Sequence, residues 1–178
     1  MEYGHVVLAN SKQEFVAKII KWFTASNWSH SLVTSSPQIG REMGLEAAGN
    51  GVSEVLFDLA YRKNSGQGYR VYRVNLPQET KDAGLAAVLP DLETPYGYLD
   101  LPWFAWRALN RMVGKDIKAQ DNWASKREIC SQLVVKYLTA CGLGDLFKGY
   151  GRNAIAPQDL QVIMEANPQL FELIEFKE

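Results

Sequence analysis

Short segments with the apolar pattern of β-strands recur along the chain, and they limit the folds that it can adopt. Each combines apolar residues at alternate or adjacent positions with turn residues nearby, which is the sequence pattern of strands bounded by turns. The segments are "GHVVLAN", the run from His30 to Thr34, "REMGLEAAGNGV", "YRVYRVNL" and "LFELIEF". We expect these strands to form a small antiparallel sheet.

Segments with a helical period separate the strands. Ser11 and Glu14 form a capping box at the start of segment 11–26, whose apolar residues recur at helical spacing. The other predicted helices are "QETKDAGLAAVL", "WFAWRALNRMVG" and "REICSQLVVKYLTACG", the last of which ends at Gly142. We interpret "SSPQIG" as a turn and "GYGRNAIAPQDLQ" as a glycine-rich connection, whereas "VSEVLFDLAYR" fits a strand and a helix equally well. The expected fold class is therefore α+β.

The size and composition of the chain fit one globular domain covering residues 1–178. Of its 178 residues, 47% are hydrophobic and 22% are charged. A chain of this kind buries a full core without needing disulfides or a structural metal. Its net charge is -1 and it has no basic block, which argues against a nucleic-acid-binding protein.

Neither a membrane span nor a signal peptide is predicted. No apolar run approaches the ~20 residues that cross a bilayer. The segment "MEYGHVVLANSKQEF" lacks the basic region and apolar stretch of a secretory signal. We therefore expect a cytoplasmic protein, although the same sequence fits one that is phage-borne or released on lysis. The sequence leaves the oligomeric state open.

The two cysteines, Cys130 and Cys141, lie in one predicted helix. A separation of eleven positions corresponds to roughly 16 Å along a continuous helix, whereas a disulfide needs Cα atoms within about 7 Å. We therefore expect no disulfide between them. The chain has no CxxC or HxxxH spacing, so metal binding is not expected either.

Cys130 has two interpretations. It lies near the middle of the apolar helix face formed by Ile129, Leu133, Val134, Tyr137, Leu138 and Cys141. A buried cysteine there is what core packing alone produces. A nucleophile would need a nearby base and a helix start close to the thiol. Ser125 and Glu128 form a capping box that would put Cys130 in the second turn, whereas a start near Ile129 would put it at the positive end; the sequence does not decide.

His30 and Glu46 are the candidates for a base and for a carboxylate that orients it. Alternation puts His30 on one face of its strand with Leu32 and Thr34, and it puts Glu46 opposite the apolar residues of its own strand. If these strands are neighbours, Glu46 can hold the second imidazole nitrogen, as in a nucleophile–base–orienter triad. The alternatives are a satisfied core histidine and a solvated carboxylate. All three candidates converge only if the cysteine helix packs on this sheet.

The order of these motifs resembles the circularly permuted branch of the NlpC-type papain-like cysteine peptidases and amidases. In that branch the histidine strand comes first, the acidic residue follows, and the cysteine helix comes last. The matching segments are "YGHVVLAN", "TASNWSHSLV", "LEAAGNGV", "TPYGYLDL", "EICSQLVVKYLTACG" and "APQDLQ". The resemblance extends over nearly the whole chain, and the order of the motifs is more specific than any one of them. The resemblance implies a papain-like fold with the catalytic cysteine on a helix.

The resemblance also implies a role for individual residues. Cys130 corresponds to the nucleophile, His30 to the general base and acid, and Glu46 to the orienting carboxylate. Tyr96 matches a tyrosine near the site that would help stabilise the oxyanion, with the backbone N–H of Cys130 as another donor.

Some positions lie outside this pattern. His5 and Gly97 stand where the family has aspartate, although neither is a triad position. His5 is also the weaker candidate for the base, because it opens a terminal strand. Trp28, two residues before His30, is a candidate substrate contact, and core packing is its alternative. The same two interpretations apply to Trp103, Trp106 and Trp123.

The expected activity is thiol-dependent hydrolysis of an amide bond through a thioester, which needs no metal or organic cofactor. Because the family acts commonly on cell-wall peptides, a peptide or peptidoglycan fragment is the expected substrate. Some relatives of the wider fold act on lipids, so a lipid amide or ester hydrolase, or an acyltransferase, is an alternative. A non-catalytic binding or structural protein is another, although the intact Cys, His and Glu argue against it.

Overall fold

The computed structural model describes residues 2–10, 27–48, 51–63, 68–94, 110, 130–150 and 155–177. Within these ranges it is an α+β structure with a six-stranded antiparallel sheet, in the order β4-β3-β2-β1-β5-β6. The strands are β1 (Val6–Ala9), β2 (His30–Gln38), β3 (Arg41–Ala48), β4 (Gly51–Leu56), β5 (Tyr69–Val74) and β6 (Phe171–Lys177). The expected α+β class with an antiparallel sheet is confirmed.

The short first strand lies inside the sheet, between β2 and β5. All four of its residues, Val6 to Ala9, have no exposed surface. Such a strand is buried on both faces, which explains why its sequence "VVLA" is continuously apolar rather than alternating. Side chains of β1 therefore belong to the core on both faces of the sheet.

Strands β2 and β3 form a hairpin that is longer than its sequence pattern predicts. The expected turn over "SSPQIG" is wrong for its first four residues, because β2 continues through Pro37 to Gln38. The register of the hairpin shifts between Ser35 and Gln38, as expected at a proline that cannot donate to the ladder. The turn consists of Ile39 and Gly40, both with positive φ, as a two-residue hairpin loop requires.

The ambiguous segment "VSEVLFDLAYR" contains both a strand and a helical turn. It forms β4 up to Leu56 and then a π-helical turn at Asp58–Arg62. This turn buries Tyr61, and the preceding Phe57 has no exposed surface. Single π-helical turns are short, so no helical period marks them in a sequence.

Three α-helices are described: α1 (Gln78–Val88), α2 (Cys130–Leu138) and α3 (Pro157–Glu165). The predicted helices at 78–89 and at the cysteines are confirmed for the described residues, and the second continues as a π-helical turn in which Gly142 has a φ of 85°. The interpretation of "GYGRNAIAPQDLQ" as a connection is wrong at its end, where α3 begins. Pro157 occupies the first turn of α3, and the Asp159 carboxylate accepts a hydrogen bond from the Ala156 N–H at 2.9 Å.

Buried apolar residues form a cluster on each face of the sheet. The larger cluster joins the sheet to the helices and includes Val6, Leu8, Val33, Leu45, Leu133, Val134, Tyr137, Leu138 and Leu160. The smaller cluster lies on the opposite face and consists of Val7, Ala9, Leu32, Phe57, Tyr61, Tyr69 and Val71. The helices predicted at 11–26 and in "WFAWRALNRMVG" fall almost entirely outside the described residues. In the part of the chain that is described, no helix combines the length and hydropathy of a membrane span.

Close packing of α1 against the end of the cysteine helix gives a stability prediction. A Cβ at position 84 would clash with Cys141 Sγ and lie 2.9 Å from the Tyr137 ring. Alanine normally stabilises a helix relative to glycine by about 1 kcal/mol, but overpacking costs about 1–3 kcal/mol. We therefore expect Gly84→Ala to lower the free energy of unfolding in urea. The control is Ala83→Gly at an exposed position of α1, which measures the helix propensity alone. A Gly84→Ala protein more stable than its parent would contradict the packing.

Candidate active site

The three predicted triad residues lie together at one end of the sheet. His30 is the first residue of β2, where it pairs with Ala9 at the end of β1. Glu46 lies in the neighbouring strand β3, and Cys130 is the first described residue of α2, which packs across β2 and β3. The question of where this helix starts relative to the thiol concerns residues outside the described ranges.

The hairpin register brings His30 and Glu46 into contact. Leu32 pairs with Glu46, and His30, two residues before Leu32, is on the same face of β2. The side chains of His30 and Glu46 therefore project from the same face of adjacent strands. His30 Nε2 lies 2.8 Å from Glu46 Oε2, and the two side chains are only 8% and 13% exposed. The second imidazole nitrogen, Nδ1, is then the one available to a nucleophile.

Cys130 is 3% exposed, and its thiol lies within hydrogen-bonding reach of the His30 side chain. It also interacts with the backbone N–H of Ser31, next to His30 in β2. The Ser31 hydroxyl is completely buried and makes no conventional hydrogen bond to a described residue, but it lies close enough to the thiol to favour the thiolate. The sulfur therefore faces an imidazole and two further donors.

The charges at this site favour a thiolate beside an imidazolium. Burial by itself raises the pKa of Cys130, but the hydrogen bond and charge of His30 outweigh it, so the pKa is lowered overall. Burial by itself lowers the pKa of His30, and the contacts with Cys130 and Glu46 reverse this and raise it to about 10. Around neutral pH the proton therefore belongs on His30 and the negative charge on Cys130.

A fourth side chain, which the sequence pattern did not identify, reaches Glu46. The Tyr61 hydroxyl donates a hydrogen bond to Glu46 Oε2, the same oxygen that contacts His30. Burial by itself raises the pKa of Glu46, but His30 and Tyr61 lower it overall, so Glu46 stays ionised. No sequence pattern indicated Tyr61, because the π-helical turn that carries it lies in a segment that fitted a strand and a helix equally well.

The two remaining predicted site residues are Tyr96 and Trp28. Tyr96 lies outside the described residues, so its role stays a prediction. Trp28 packs in the larger core at 7% exposed, with its Nε1 donating to Gln161 Oε1 at 2.7 Å and the Arg70 guanidinium 5.6 Å from its ring. The structure thus gives Trp28 a packing role, and a substrate contact for it stays a prediction. Trp103, Trp106 and Trp123 are outside the described ranges.

His5 lies too far along the sheet to serve as the base. Its backbone N–H donates to Thr34 Oγ1 at 2.8 Å. Thr34 is four residues from His30 in the same strand, which is about 13 Å at 3.3 Å per residue. Burial, and then the charge of Lys81, lowers the pKa of His5 to about 4. His5 is therefore a neutral buried histidine remote from the thiol.

Among the described residues, no cluster of His, Cys, Asp and Glu could hold a metal ion.

No family model matches the chain, and no curated protein matches it. A functional assignment therefore depends on the contacts among Cys130, His30 and Glu46.

The two histidines provide a direct test of the charge distribution. Because contacts with Cys130 and Glu46 favour the imidazolium, we expect His30 to stay protonated through neutral pH and to titrate near pH 10. His5 should stay neutral until about pH 4, because burial disfavours its charge. The measurement is the pH dependence of the two imidazole C–H signals by NMR, assigned with His5→Gln. Glu46→Gln should lower the midpoint of His30 alone. A His30 midpoint near the ordinary ~6.5 would contradict this electrostatic picture.

Proposed function

We propose that this chain is a thiol-dependent hydrolase, a cysteine peptidase or amidase of papain-like, permuted NlpC-type architecture. The observation that carries the proposal is the continuous chain of contacts from the Cys130 thiol through the His30 imidazole to the Glu46 carboxylate. A nucleophile, a base and an orienting group in hydrogen-bond contact are the signature of nucleophilic catalysis. The antiparallel sheet with the cysteine helix packed on it supports the papain-like assignment.

Acylation begins from the thiolate. Cys130 Sγ attacks the carbonyl carbon of the substrate, and the carbonyl oxygen takes the negative charge of a tetrahedral intermediate. The backbone N–H of Cys130 and the predicted donor Tyr96 would stabilise this oxyanion. His30 then donates its proton to the leaving amine, the C–N bond breaks, and a thioester remains on Cys130.

Deacylation uses the same imidazole in the opposite sense. Neutral His30 removes a proton from water, and the resulting hydroxide attacks the thioester carbonyl. Collapse of the second tetrahedral intermediate releases the carboxylic acid and restores the Cys130 thiolate beside protonated His30. Glu46 holds one imidazole tautomer and orientation throughout, since its carboxylate contacts Nε2 and leaves Nδ1 toward the sulfur.

The substrate class comes from the resemblance and not from the geometry. The motif order supports an amide bond, with short cell-wall peptides first and lipid amides or esters as the alternative. A protein that transfers the acyl group to an amine instead of water would use the same thioester. A substrate panel that includes an amine acceptor separates these activities from one another.

The panel gives a mutational prediction. Cys130→Ala should abolish turnover, and His30→Ala should lower kcat/KM by about 10²–10⁴-fold, because it removes the general acid and base. Glu46→Gln should cause a smaller loss, because the amide keeps a contact with the imidazole but not the charge. Product release from cell-wall peptides, lipid amides and lipid esters is measured by mass spectrometry.

The matched control is Cys141→Ala. Cys141 is the other cysteine of the chain, and burial raises the pKa of its thiol. Its removal should therefore leave turnover unchanged. Turnover that survives in Cys130→Ala, or that is lost in Cys141→Ala without loss of folding, would refute the proposed nucleophile.

A further inference from the structure

We propose that Tyr61 is a positioning residue of this site, which acts on His30 through Glu46. The inference rests on the proposed function, because it gives Tyr61 a part in the same cysteine chemistry. It extends the Cys130–His30–Glu46 chain by one member that neither the motif order nor the sequence periodicity indicated.

The geometry of Tyr61 is specific to the atom that holds the base. Its hydroxyl donates to Glu46 Oε2, and this oxygen is also 2.8 Å from His30 Nε2. The Tyr61 ring is nearly parallel to the imidazole, with an interplanar angle of 11° and centroids 6.4 Å apart. Tyr61 therefore contacts the orienting carboxylate and stacks beside the base that this carboxylate orients.

The Tyr61 hydroxyl keeps its proton, and so remains a donor, from acid to well above neutral pH. Burial raises its pKa, and the negative charges of Glu46 and Cys130 raise it further. A donor that does not itself titrate keeps the shared oxygen of Glu46 ionised and fixed in place. Without it, Glu46 would take up a proton at a higher pH, and a protonated Glu46 no longer stabilises the imidazolium.

The π-helical turn that carries Tyr61 is held firmly against the sheet. Phe57, just before the turn, stacks on Tyr61 with centroids 5.7 Å apart. Arg62, the last residue of the turn, makes two hydrogen bonds with Glu175 of β6 at 2.9 and 2.6 Å, and its guanidinium lies 4.9 Å from the Phe57 ring. These contacts hold the turn from both sides and keep the Tyr61 hydroxyl directed at Glu46.

The test uses the pH profile of Cys130 alkylation by iodoacetamide, read by mass spectrometry, because this needs no substrate. In Tyr61→Phe we expect the acid inflection of Cys130 alkylation to rise by roughly 0.5–1 pH unit, since one charge-assisted hydrogen bond is lost. The matched control is Tyr69→Phe. Tyr69 belongs to the same aromatic cluster, and its hydroxyl donates to the carboxylate of Glu175 at 2.5 Å and not to Glu46. The Tyr69→Phe profile should coincide with that of the parent.

A double variant establishes that the effect passes through Glu46. The profile of Tyr61→Phe combined with Glu46→Gln should match that of Glu46→Gln alone. Site-specific 3-fluorotyrosine at position 61, a stronger donor of nearly native size, should move the acid inflection down and serves if Tyr61→Phe does not fold. The inference is overturned if Tyr61→Phe coincides with the parent, if Tyr69→Phe shifts equally, if the double variant is additive, or if fluorination leaves the inflection in place.

The same alkylation profile, measured also for His30→Ala, separates this inference from the proposed function. A parent profile that is ordinary and indifferent to His30→Ala would refute the cysteine hydrolase itself. A depressed parent profile that depends on His30 but not on Tyr61 would refute the role of Tyr61 alone.

Discussion

The pairing of β2 with β3 is the constraint on which the site depends. Leu32 is opposite Glu46 in this register, and His30 therefore projects from the same face as Glu46 and reaches its carboxylate at 2.8 Å. Because side chains alternate along a strand, a slip of one residue would send either group to the opposite face. The two-residue turn at Ile39 and Gly40 and the register shift between Ser35 and Gln38 together set this pairing. Backbone features several residues away thus decide whether the imidazole has a partner.

The site brings together charged groups, each of which would be too costly to bury by itself. Transfer of an ion into a protein interior costs several kcal/mol even after relaxation, unless close partners compensate. Here each ionised group has such a partner: the Cys130 thiolate faces His30, the imidazolium faces Glu46, and the carboxylate accepts from Tyr61. Removing one member would leave its neighbour buried and unpaired. This mutual dependence explains why the pKa of Cys130 falls and that of His30 rises although burial opposes both changes.

The sequence predicted the part of the site that obeys periodicity. Alternation put His30 on the face of β2 that also holds Leu32, and His30 reaches Glu46 from that face. The condition for the three candidates to meet, a cysteine helix packed on this sheet, is fulfilled by α2. Tyr61 was missed because a single π-helical turn has no period that a pattern could reveal. The start of α3 was missed because its cap is the carboxylate of Asp159, three residues beyond the N–H that it binds, and because a glycine-rich stretch precedes the helix. Long-range contacts such as the bond from Tyr61 to Glu46 depend on how elements pack, which local pattern does not encode.

The ion pair of Cys130 and His30 is tested most simply by the thiolate population of Cys130 as a function of pH. It is measured as the ultraviolet thiolate absorbance of the protein minus that of Cys130→Ala, which cancels the contributions of Cys141 and of the tyrosines. We expect a thiolate that forms well below the ~8.5 of an ordinary cysteine and is lost from that range in His30→Ala. A thiol that titrates at or above ~8.5, with or without His30, would show that His30 does not activate Cys130.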